Sequence, residues 1–192
     1  MGAALGGSSQ AAGDSDRPYL GPGLGGTSVA SVIFVDASVM PAIGIGGEVS
    51  LTGDISGTQQ ERAFGGSNDL VSRHHDTVFS GVVKFKAPPA GPFQIVAVAG
   101  TGVAWRQTNR TGTFRSYLPP FISTPVAETL SNIVFAASGG LDGAIALHRR
   151  LAILALVRVH LLGDKDRLPD GVVRSGVSSV IVRYGVGAQV RF

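Results

Sequence analysis

Read backward from its last residue, the chain alternates. Phe192, Val190, Ala188, Val186, Tyr184, Val182 and Val180 fall on one parity, and Arg191, Gln189, Gly187, Gly185, Arg183 and Ile181 on the other. A period of two marks a strand whose faces meet different surroundings. The same pattern recurs in "AIGIGGEVSLT", "DTVFSGVVKFKA", "PFQIVAVAGTGVAWRQ", "IVFAASGGLDGAIAL" and "LAILALVRVHLL". It predicts strands near residues 25–36, 42–54, 75–87, 92–106, 132–147, 151–162 and 176–192. Their connections alternate between short ("DASVMP", "PPAG", "HRR") and long (residues 55–74, 107–131 and 163–175), the rhythm of an up-and-down antiparallel sheet with loops at one end. Single-chain bacterial barrels have even strand numbers. The small, Gly-rich "GAALGGSSQ" therefore supplies the missing first strand, and Met1 is expected to lie inside it, with the start of the strand and a signal peptide upstream.

Every charge within these strands sits on the less apolar parity: Glu48, Lys84, Lys86, Arg106, Asp142, Arg158, Arg183 and Arg191. Two closed sheets show such alternation. A soluble ligand-carrying barrel turns its apolar face inward and its charges to water; a membrane barrel does the reverse. Composition decides between them. Only 15% of the 192 residues are charged against 44% hydrophobic, and the polar parity is largely Gly, Ser and Ala, suited to a cramped lumen and poor for a solvated exterior. Phe93 and Trp105 lie on one outward face 12 positions apart. At about 3.3 Å per residue and a tilt near 40°, they bracket roughly 30 Å, close to the height of an aromatic-girdled apolar band. The expectation is an all-β, eight-stranded, antiparallel, up-and-down transmembrane β-barrel, one domain over residues 1–192, its first strand truncated.

The net charge of +3 is scattered, which argues against nucleic acid as a partner, and the absence of cysteine removes disulfides and thiolate metal sites. An eight-stranded barrel is just wide enough for side chains to fill. Glu48, Asp142, Arg158, His160, Arg183 and Gln189 should therefore meet inside as a polar plug, because unpaired buried charge is costly. A catalytic reading can start from His74, His75 and Ser80, but the adjacent histidines of a strand point to opposite faces, and no spacing supplies a third member or a metal site. "GPGLGG" at residues 21–26 matches the dinucleotide fingerprint, but no upstream strand leads into it and no helix-forming segment follows, so it reads as a glycine-rich loop or strand start. No cofactor is expected.

With "RHHDTVFSGVVKFKAPPAGPFQIVAVAGTGVAWR", "SGGLDGAIALHRRLAILALVRVHLL" and the terminal "VRYGVGAQVRF", about half the chain resembles small outer-membrane β-barrel proteins of the OmpA-like and OmpX-like type, and eight-stranded barrel proteins of Acidobacteria. The resemblance implies a bacterial outer-membrane location and outer-membrane lipid as surroundings. It further implies that Phe192, Val190 and Tyr184 form a terminal signal read by the outer-membrane assembly machinery. The role it implies is structural or surface-interacting, and a monomer is expected. The long loop at residues 107–131 carries Phe114, Tyr117, Leu118 and Phe121, which suit an extracellular partner, and Arg110 and Arg115, which suit a lipopolysaccharide headgroup; a loop folded over its own barrel mouth is the alternative. A narrow small-solute passage and a lipid-modifying enzyme stand as rivals.

Overall fold

A computed structural model describes residues 1–12, 25–63, 65–163 and 177–190, and every regular element in them is a strand. In chain order these are β1 (Gly2–Ala12), β2 (Gly26–Met40), β3 (Ile43–Thr52), β4 (Ile55–Ala63), β5 (Gly66–Lys86), β6 (Phe93–Ser116), β7 (Ser123–His148), β8 (Leu151–Leu162) and β9 (Val177–Val190). All pairings are antiparallel between neighbours, and β1 pairs with β9, from Gly2↔Gln189 onward. β3 pairs with the lower part of β5, from Ile43↔Phe85 to Leu51↔Thr77. β4 carries the same wall upward against Gly66–His74 after a break at Gly53 and Asp54. The nine segments thus form eight staves of one closed barrel, with no unpaired edge in its ring among the described residues.

The inside-out arrangement is met residue by residue. Phe79, Phe85, Phe135, Leu141, Ile153, Val157 and Val186 face outward, as do Phe93 and Trp105, which are about half exposed. Glu48, Lys84, Arg106, Asp142, Arg158 and Arg183 are buried inside. The lumen is nevertheless more apolar than the polar-parity reading implies. Val32, Phe34, Ala144, Leu154 and Leu156 form one interior layer, and Val78, Ala104, Val134, Leu162 and Ile181 a second. Apolar residues on the inner parity occupy space between the charged groups and so coexist with the ionic layers.

Two expected long loops are instead strands. β5, β6 and β7 run for 21, 24 and 26 residues, and the stretches Gln107–Ser116 and Ser123–Ser131 are paired almost throughout. The reason is that a strand leaving the bilayer keeps its hydrogen-bond ladder but needs no greasy face, so the hydropathy signal stops while the structure continues. Together β4 and the upper parts of β5, β6 and β7 make a four-stranded sheet that projects beyond the apolar band. At about 3.3 Å per residue, the eleven steps from Trp105 to Ser116 carry it roughly 36 Å along the strand. Short turns and both described chain ends, Met1 and Val190, gather at the opposite end of the barrel.

Candidate functional site

Side chains from six strands converge inside the barrel. The central group is Arg158 on β8, which is fully buried. Its Nε donates to Glu48 Oε1 and Oε2 on β3 at 3.1 and 3.0 Å. Its Nη1 and Nη2 donate to the two oxygens of Asp142 on β7, the latter at 3.2 Å. A planar guanidinium suits this double fork, since its donors match a carboxylate on two sides. Room for it comes from Gly140, where a Cβ would stand 2.1 Å from the Val157 carbonyl oxygen and 3.0 Å from Arg158 Cδ.

Arg183 on β9 is the cross-strand neighbour of Arg158. Like charges in that position repel, but two carboxylates share Arg158, so the four side chains together are neutral. Arg183 is held by other acceptors: the Thr52 hydroxyl, the Asp76 backbone carbonyl at 3.2 Å and His160 Nε2 at 3.4 Å. Because a guanidinium can only donate, His160 Nε2 accepts, and its Nδ1–H donates to Ser138 Oγ at 2.8 Å. Ser138 and Ser80 are joined in turn at 3.1 Å.

A second group lies above. The fully buried Asp76 accepts from His74 Nε2 at 2.9 Å and Arg106 Nε at 3.2 Å, while His74 Nδ1 meets Thr108 Oγ1 at 2.8 Å. Hydroxyl, imidazole and carboxylate in a row have the form of a nucleophile relay. Here all three are buried and Asp76 is also tied to Arg106, so the arrangement serves as a satisfied polar layer. His75 points the other way, 3.3 Å from Asp54. Among the described residues, no cluster of three His, Cys, Asp or Glu is set to hold a metal ion.

Of the residues singled out from sequence, Glu48, Asp142, Arg158, His160 and Arg183 are thus brought together, whereas Gln189 lines a cavity at the short-turn end that reaches the cluster only at Asp142. Tyr184 and Val190 face outward, and Trp105 donates its indole N–H to Ser131 Oγ at 2.6 Å. Phe192 and the "GPGL" part of the glycine stretch lie outside the described residues. Sequence reasoning missed Thr52, His74 as a lumen group, Asp76, Thr108 and Ser138. Parity was a usable signal: Asp76 lies four positions from Ser80, and Thr52 four from Glu48, on the same faces.

No protein-family model matches this chain, and no curated protein matches it by sequence. Solved structures do. A major outer membrane protein from Thermus thermophilus aligns over 100% of both chains with 16% identity and a TM-score of 0.52. Ail, the attachment invasion locus protein of Yersinia pestis, in complex with the heparin analogue sucrose octasulfate, aligns over 100% of this chain and 98% of its own, with 13% identity and a TM-score of 0.51. The chain has the architecture of the small eight-stranded outer-membrane β-barrels, and its outward apolar belt and buried ion layers suit a barrel set in a membrane.

Proposed function

We propose that the protein is a structural and surface-interacting component of the outer membrane, which holds a β-sheet outside the cell on a barrel sealed by side chains. One observation carries the reading. At the β6–β7 turn, Tyr117, Leu118, Phe121 and Ile122 are 51 to 75% exposed, an apolar tip at the far end of a long paired sheet. Exposed apolar clusters of this kind mark contact sites. The tip crowns the four-stranded sheet made by β4 and the upper parts of β5, β6 and β7. Its exposed Arg115 lies 3.9 Å from Asp69, whereas the exposed Arg73 has no ion pair among the described residues. The apolar tip favours a partner with an apolar surface.

The layered lumen supports a sealed barrel over a solute passage, because the Arg158 cluster and two apolar layers stand between the mouths. Phe93 and Trp105 serve as the interfacial aromatic girdle in this reading, and Tyr184, Val190 and Phe192 as the terminal assembly signal. The outward exposure of Tyr184 and Val190 supports the latter. The test is adherence of cells expressing the protein to polystyrene and to a cultured cell layer. Replacing Tyr117, Leu118, Phe121 and Ile122 together with Ser abolishes adherence while heat-modifiable gel migration is retained. Unchanged adherence, after this change or after deletion of residues 110–125, would refute the surface role. Lipid A mass analysis after expression separates the lipid-modifying alternative.

A further inference from the structure

At the short-turn end the lumen opens into a cavity of about 660 Å³ that the ionic layers do not fill. Its size lies within the roughly 300–1,000 Å³ of small-molecule sites. Phe34, Val96, Ala144 and Leu154 give it an apolar floor, and Lys84, Lys86, Asp36, Ser38, Gln94 and Gln189 a polar wall. The two lysines differ. Lys84 is already engaged: its Nζ pairs with Asp36 Oδ1 at 3.3 Å and sits 3.7 Å from the centre of the Phe34 ring. Lys86 donates to the Ser38 hydroxyl, and among the described residues no carboxylate stands within ion-pair distance of it. An ammonium carries three donors, so at least two of those on Lys86 remain for an anion at the cavity wall. Asp142, also at the floor, is engaged by Arg158.

Met1 also lines the cavity, its terminal nitrogen donating to the Val190 carbonyl oxygen at 3.1 Å. Of the charged side chains in the lining, Lys86 alone has no opposite partner among the described residues, and one such cation above an apolar floor is the complement of a compact molecule with one anionic end. We propose that this cavity binds a small amphiphilic monocarboxylate entering from the aqueous side, its carboxylate on Lys86 Nζ and its apolar body against Phe34, Val96, Ala144 and Leu154. A polyanion would find no second unpaired side-chain cation, and a neutral apolar molecule would leave Lys86 without a counter-charge. The site is independent of the external sheet.

The experiment titrates the refolded barrel in non-ionic detergent with 4-fluorophenylacetate, followed by ¹⁹F NMR. The neutral 4-fluorobenzyl alcohol measures uptake by micelles alone. Saturable binding of the carboxylate and not of the alcohol is expected. Lys86→Met weakens it by about tenfold or more, as loss of a charge-assisted contact should, and Lys86→Arg keeps it within a few-fold. Ala144→Phe fills the floor and abolishes binding without changing heat-modifiable migration. Non-saturable uptake, equal uptake of the alcohol, or equal affinity in Lys86→Met overturns the proposal. If Lys86→Met fails to refold, Ala144→Phe alone decides: binding that survives it places the ligand elsewhere.

Discussion

Arg158 shows what a single side chain does in this lumen. Removing it leaves Glu48 and Asp142 facing each other, both almost fully buried, with no cation between them. Arg158→Ala is therefore expected to destabilise the barrel by about 3–5 kcal/mol, the usual cost of orphaning a buried charge. Denaturant unfolding in lipid vesicles, followed by the fluorescence of the single tryptophan, Trp105, measures it. Combining Arg158→Met with Glu48→Gln and Asp142→Asn should recover much of the loss, because no charge is then left unpaired. If the cluster is a seal, Arg158→Ala also raises single-channel conductance in planar bilayers above that of the parent. Gly140→Val acts on the same group indirectly. Its side chain would enter the space of Arg158 Cδ and the Val157 carbonyl, so it should unfold at lower denaturant than Gly143→Val, where a Cβ meets nothing within 4 Å.

Among the elements, β6 divides into two regimes at Trp105. Below it the outward residues meet lipid; above it Thr108, Arg110 and Gly112 alternate with Asn109, Thr111 and Thr113 in a ladder that is polar on both faces. Ala99 is lipid-facing and midway between Phe93 and Trp105. Ala99→Arg is expected to cost about 2–4 kcal/mol, and Phe93→Arg, at the band's edge, no more than about 1 from charge placement. Unfolding titrations of the two variants give the comparison; equal losses would contradict the assigned depth. The same division explains what the sequence did and did not reveal. Period-two hydropathy correctly turned Trp105 and Phe135 outward and Glu48 and Arg158 inward. It fell silent at Gln107, because a strand in water has no greasy face to announce it. Contacts such as Arg183 to Thr52, 131 residues apart, depend on the stagger of the closed ring and cannot be read from any one strand.

On the scale of the whole molecule, the barrel should survive loss of what it displays. Deletion of residues 110–125 removes the tip and the ends of β6 and β7, but spares every residue of the Arg158, Arg183 and Asp76 clusters. The shortened protein is expected to keep heat-modifiable migration, with the unfolded form running more slowly than the folded one. A loss of that shift would mean that the sheet is required for closure and is not an appendage.

Glu48 and Arg158 are 110 positions apart, on staves that face each other across the tube and share no ladder. Hairpin pairing alone cannot bring them into register, so their bond can form only when the wall curls up late in insertion. Until that moment each must travel hydrated or with a temporary companion. The clamp is therefore a latch for the finished cylinder: substitutions at Arg158 should mainly quicken unfolding and leave the early rate of membrane insertion unchanged.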